Sequence, residues 1–405
     1  MTTDLDKLAT AFDPLDPSFV KDPYPTYKSL RENDPVHRSH KGYWVLTRYT
    51  DVVNAMKDPR LSNEPSPYAV VNKRNREKYT AADVANNIIP FMDPPTHTSS
   101  RKMISKAFHG HLKSTPPDIQ GITDRLLAKF KGKGEIDVVN DLGTPLSISV
   151  IAQLLGVPDD NTGQLKEWSN WFFYLFSVIP SNEVLSNMNK ALDEFRAYLL
   201  DLVHTRKESP RDDLISKLLH VRDGDNKLLE SELVDTCMLL FSDSVENVDR
   251  GIGNAMAYIL ESRNILAKLR KEPHLIPDAI EESLRINPPG QFIAKIAKET
   301  INLKGKVIRK SDAVLLILAS ANRDPDYFEN PDKFELERLN SQQLAFGKGP
   351  HSCIGAPLVR MEMEIILRTF ITRLEDLKLK DQELEWEARL GHRWLKKLRL
   401  TFKPY

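Results

Sequence analysis

The sequence predicts a mainly helical chain carrying small β-sheets, an α+β class. Two observations carry this: apolar spacing that stays helical from about Pro94 to Leu269, and β-branched, alternating runs confined to a short stretch near the start and another after Ala294. A helical run also returns after Gly355, so the sheets are flanked by helix rather than forming a separate all-β unit.

The elements follow in order. Prolines at 14, 17, 23 and 25 precede a short helical stretch around Tyr27 to Glu32. Tyr43-Trp44-Val45-Leu46-Thr47 then reads as strand, with a helix from Thr50. Thr80 to Asn87 is polar and Ala-rich and reads as a loop at most. Leu192, Phe195, Leu199 and Leu202 fall on one face of a middle helix. From Ala294 to Leu318 the pattern changes to short strands broken by Lys304-Gly305, a hairpin signal. No repeat and no flexible linker is visible, so residues 1–405 are expected to form a single domain.

Composition narrows the function. Lys plus Arg and Asp plus Glu both total 57, so the net charge is zero and nucleic acid is not expected as a partner. Met1-Thr2-Thr3-Asp4 opens neither a signal peptide nor a membrane anchor, and no apolar span of bilayer length is expected, so the predicted location is the cytoplasm. Cys237 and Cys353 are the only cysteines, too few for a disulfide framework and consistent with a reducing compartment.

The most informative segment is Phe346-Gly347-Lys348-Gly349-Pro350-His351-Ser352-Cys353-Ile354-Gly355, followed by a helical run from Pro357 through Phe370. Glycines before the cysteine permit a tight turn, and Gly355 allows a flat cofactor to approach the backbone. Backbone N–H groups and the following helix N-terminus are expected to favour a thiolate at Cys353. A lone cysteine would read as buried and inert; here Phe, Gly, His and Cys hold fixed offsets together.

This segment resembles the cysteine-ligand loop of the cytochrome P450 haem-thiolate monooxygenases. The resemblance extends over nearly the whole chain and implies a prism-like helical body with haem b between a long central helix and the cysteine-side helix. An axial thiolate from Cys353 would push electron density towards oxygen and favour O–O cleavage. Phe346, His351 and Gly355 would contact the cofactor. Glu282-Ser283-Leu284-Arg285 matches the family's Glu-x-x-Arg, and Arg338 resembles its partner arginine, a structural network holding the cysteine loop. Asp93 to Arg101 resembles the segment opening a helix along the haem edge, with His97 and Arg101 reaching a propionate. Lys295 stands where the family usually has arginine, which replaces a fork-shaped contact by a point charge.

One departure concerns oxygen chemistry. The family's central helix usually carries an acid followed by an alcohol that relay protons to dioxygen. Aligned on Ile252-Gly253-Asn254-Ala255, the residues here are Asp243-Ser244-Val245-Glu246-Asn247. Glu246 is then the catalytic acid, and Asn247 replaces the alcohol with an amide that cannot pass a proton as a hydroxyl does. A shifted register would use Asp243-Ser244 instead.

Phe172, Phe173 and Phe176, with Phe292 and Ile293, are candidates to line an apolar substrate cavity. The expected substrate is a medium-sized lipophilic molecule of terpenoid, polyketide, fatty-acyl or phenolic type. No dinucleotide fingerprint follows a strand, so electrons are expected from a ferredoxin-type protein and its reductase, docking on a basic patch of Lys102, Lys106, Lys348, Arg360 and Arg368. A monomer is expected. Oxidative coupling or peroxide-driven oxidation, and a non-catalytic haem-binding sensor, remain alternative readings.

Overall fold

The computed structural model describes residues 12–158, 161–177, 181–338 and 342–404. The N-terminal Met1 to Asp4 reading lies outside the described residues.

The fold is α+β, as its patterning predicts. A five-stranded sheet runs in the order Val36–Arg38, Trp44–Leu46, Ala313–Ile317, Phe292–Ala297, Leu61–Ser62. Its middle is mixed: Val45 lies opposite Leu315 in a parallel pair, while Lys295 lies opposite Val314 in an antiparallel one. Trp44–Leu46 is buried at every residue, as expected for an internal strand covered on both faces. The Lys304-Gly305 signal becomes a hairpin between Ile301–Leu303 and Lys306–Ile308, with positive φ at both turn residues.

The body is built around the helix Glu230–Glu261, buried along most of its length. Its first turn is capped by the Glu232 carboxylate, which accepts from the Leu229 N–H at 2.8 Å. The stretch Val138–Leu155 packs across it. This stretch is 18 residues long and apolar enough to cross a membrane, contrary to the expectation of no such span, but 67% of it is buried in the interior. The crossing is close because both sides lack a side chain. A Cβ on Gly143 would lie 3.1 Å from the Asp249 Cα, and one on Gly253 would lie 2.9 Å from Val139 Cγ2.

Thr80–Asn87 is a helix rather than a loop. Its Ala81, Ala82, Val84 and Ala85 are buried, the Ala81 N–H donates to Asn189, and Asn87 Nδ2 donates to Asp235 Oδ2 at 2.8 Å. Tertiary contacts make this short segment helical where its sequence signal is weak.

Candidate functional site

The cysteine loop begins with Gly347, whose N–H donates to the Leu344 carbonyl at 2.8 Å, and closes with the Cys353 N–H on the Phe346 carbonyl at 2.8 Å. Gly347 and Gly349 take positive φ, the backbone region that a side chain would strain. The chain then enters the helix Ala356–Arg373 with Gly355 at its start, where a Cβ would stand 3.7 Å from the sulfur. The sulfur is thereby delivered to the interior at a helix N-terminus.

The expected thiolate preference is corrected by the electrostatics. Burial pushes the Cys353 thiol up to about 12, and the nearby Asp243 carboxylate adds to this. The N–H groups of Gly355 and Ala356 and the Arg101 charge pull the other way and lose. The loop therefore lessens the cost of an anion without creating one, and an ionised sulfur here requires a metal cation.

Beneath the loop, the charged network forms as expected. The Arg285 guanidinium meets the Glu282 carboxylate in a fork, both contacts at 2.7 Å, and donates to the carbonyls of Asn322, Pro331 and Lys333. Arg338 Nε reaches the same carboxylate at 3.1 Å, and the Glu335 N–H donates to it at 2.9 Å. Every charge is answered, and the carbonyls that Arg285 gathers fix the segment leading into the cysteine loop.

A second cluster behaves differently. His97 and His351 stack with ring centroids 3.7 Å apart, and His351 Nε2 is 2.8 Å from Asn63 Nδ2. Arg101 donates to the Ser352 carbonyl at 2.5 Å. The Lys295 ammonium, on a residue only 4% exposed, has no hydrogen-bond or ion-pair partner among the described residues, and His97 Nε2 is buried without a partner. Burial lowers the pKa of His97, Arg101 and Lys295, and burial with the neighbouring His97 charge takes His351 down to about 3. A buried ammonium with no ion pair is costly unless a ligand brings the negative charge. Haem fits this donor set: its propionates would answer the cations while its iron meets Cys353.

Across from the sulfur lies the central helix. From Leu233 to Ala257 only Asp243, Ser244 and Asn247 are not buried, and Asp243 is nevertheless surrounded by protein. These residues therefore open onto an internal cavity. Asn247 Nδ2 donates to Asp243 Oδ1 at 2.8 Å. Glu246, expected beside dioxygen, is instead 1% exposed and in ion-pair contact with Lys166 at 2.9 Å. The helix step turns residue 246 well away from 247 whereas 243 and 247 share a face, so the acid facing the sulfur is Asp243. Asp243 was visible only as the less favoured register; Lys166 and Asn63 gave no sequence signal.

The aromatic candidates divide. Phe172 has no exposed surface and is ordinary core, which corrects its assignment as a lining residue, and Phe173 packs edge-on against Trp394 at 5.4 Å. Phe176 stacks on Phe91 at 4.9 Å, and both are half-buried. Phe292 and Ile293 are half-buried on the strand that carries Lys295. The basic patch is mostly neutralised. Lys102 pairs with Asp223 at 2.5 Å, Arg360 with Glu281 at 2.6 Å and Arg368 with Glu364 at 2.8 Å, leaving Lys106 and Lys348 without ion pairs among the described residues. Arg360 also lies over the Phe346 ring, 4.5 Å from its centre.

Comparison with known proteins agrees with this geometry. The family model "Cytochrome P450" matches residues 36–389. The chain is 35% identical to the biotin biosynthesis cytochrome P450 of Bacillus subtilis over 390 residues, covering 95% of this chain and 97% of that one. It is 30% identical to the polyketide biosynthesis cytochrome P450 PksS of the same organism, covering 96% and 97%. A crystal structure of P450BioI in complex with acyl carrier protein ligated to hexadec-9Z-enoic acid superposes with a TM-score of 0.88 at 33% identity, covering 95% of this chain and 99% of that one.

Proposed function

This chain belongs to the cytochrome P450 family, and from that premise we propose that it inserts one oxygen atom from dioxygen into a medium-sized lipophilic substrate of secondary-metabolite, terpenoid, polyketide or fatty-acyl type. The observation that carries the reading is the Cys353 sulfur at the start of the helix Ala356–Arg373, within the field of Asp243 and Arg101, together with Lys295, a buried ammonium with no ion pair among the described residues. Haem, when bound, supplies reductive activation of dioxygen. Cys353 would hold its iron, and His97, Arg101, Lys295 and His351 would hold its propionates, with Phe346 and Gly355 against its proximal face. Glu282, Arg285 and Arg338 keep the cysteine loop in place.

Substrate enters an interior whose half-buried walls include Phe176, Phe91 and Phe292. Exclusion of water by these rings favours productive use of electrons over their loss to solvent. The electrons come from a ferredoxin-type protein with its reductase, and Lys106 and Lys348 are the cations left free to meet it. Residues 1–405 act as one domain in the cytoplasm.

The test is the spectrum of the reduced, carbon-monoxide-bound protein. A thiolate-type band supports the reading; nitrogen-type ligation, or failure to take up haem, overturns it. Labelled dioxygen then decides the reaction: label in the product supports insertion, and unlabelled coupled product replaces it with oxidative coupling.

A further inference from the structure

The opening in the central helix is lined by polar side chains. Three residues break a buried run from Leu233 to Ala257, and all three, Asp243, Ser244 and Asn247, carry hydrogen-bonding groups. Asp243 Oδ1 is engaged by the Asn247 amide at 2.8 Å, which fixes the carboxylate one helical turn before its donor. No lysine, arginine or histidine pairs with Asp243 among the described residues, although the other buried acids of this helix have such partners: Asp235 has Arg196 at 2.6 Å and Glu246 has Lys166 at 2.9 Å.

A carboxylate surrounded by protein and without a cation is costly, and the amide of Asn247 offsets only part of that cost. The cations of the site are Arg101, which donates to the cysteine loop, and Lys295, and propionates would take them up. The negative field of Asp243 reaches Cys353, so the space between the two is bordered by acid on one side and by sulfur on the other. A positively charged group entering the space beside Asp243 gains from its carboxylate, whereas a carboxylate meets repulsion from it.

We propose that Asp243, positioned by Asn247, anchors a cationic nitrogen of the substrate, so that the natural substrate is a lipophilic amine charged at neutral pH. This rests on the monooxygenase reading and narrows its substrate class. Asn247 is accordingly a positioning residue for the anchor rather than a substitute for the missing alcohol.

The test uses the full-length, haem-loaded protein and three probes of equal chain length: decyltrimethylammonium, a permanent cation with no lone pair for iron, neutral 1-decanol, and decanoate. Binding is followed by calorimetry and by the spin-state change of the haem spectrum. Wild type is expected to bind the cation roughly tenfold or more tightly than decanoate and more tightly than decanol. Asp243→Asn is expected to weaken the cation roughly tenfold while moving decanol less than about twofold, and Asp243→Ala to do the same. Wild type that does not prefer the cation overturns the proposal without any variant being needed. So does an Asp243→Asn effect that is equal on the cation and decanol, which would mark a neutral hydrogen-bonding site. An intact thiolate band beside charge-blind binding sinks the anchor alone, whereas loss of that band in wild type removes the monooxygenase reading beneath it.

Discussion

Two groups of buried charge flank the cysteine loop, and they are built on opposite plans. Around Glu282, every donor and acceptor is matched: two arginines and a backbone N–H meet one carboxylate, and the remaining guanidinium hydrogens go to carbonyls. Around His97, the Lys295 ammonium has no hydrogen-bond or ion-pair partner among the described residues, the Asp93 and Asp58 carboxylates acting on it only through their field, and His97 Nε2 is buried without a partner. A protein gains little from burying charges it leaves unanswered, so the first group reads as architecture and the second as a receptor. The same contrast separates Glu246, tied to Lys166, from Asp243, which faces the cavity.

Removing a member of the matched group should have the largest effect. Arg285→Ala leaves the Glu282 carboxylate and three carbonyls short of a partner, and breaking a buried pair of this kind costs about 3–5 kcal/mol. The expected result is loss of soluble, haem-loaded protein, measured by yield and by the carbon monoxide spectrum. Arg285→Lys should not restore it, because an ammonium cannot form the fork. Recovery with lysine would mean that the network matters only as charge.

Lys295→Met should separate the two plans directly. In haem-free protein it removes an unanswered buried cation and is expected to raise stability by about 1–3 kcal/mol in denaturant unfolding. In haem-loaded protein it should speed haem loss to an acceptor globin several-fold. Destabilisation in both states would place Lys295 with the architecture.

The smallest effect expected is on pH dependence. Burial holds the folded pKa of His97 below its ordinary 6.5, so below pH 6.5 the unfolded chain binds a proton that the folded, haem-free chain does not. Stability is therefore complete above pH 6.5 and falls as pH drops, at no more than about 1.4 kcal/mol per pH unit for this one group. Comparing urea unfolding of wild type and His97→Gln between pH 7 and pH 5 should show a shallower fall in the variant. With haem bound, propionates beside His97 should raise its pKa again, and the difference between the two proteins should shrink.

Legibility in the sequence followed the same division. The matched network and the cysteine loop were readable because their residues keep short, fixed spacings: Glu282 and Arg285 share one helix face, and Gly347, Gly349 and Cys353 share one turn. His97, Arg101 and Lys295 were singled out through resemblance, but that the Lys295 ammonium has no ion pair among the described residues is a fact of three dimensions. On the central helix Glu246 and Asn247 are adjacent in sequence yet face different surroundings, which spacing alone does not show, and the lysine that pairs with Glu246 comes from a separate helix. Thr80–Asn87 was missed because its helical state depends on Asn189 and Asp235, far along the chain.

The close crossing at Gly143 and Gly253 limits how this enzyme can adapt. With backbone already against backbone and side chain at that crossing, the central helix has no slack to move towards Val138–Leu155 for a bulkier guest. Accommodation must come sideways, through the Phe91 and Phe176 rings, whose half-buried stack can part without breaking a hydrogen bond. Variants selected for larger substrates should therefore accumulate at these walls and spare the two glycines.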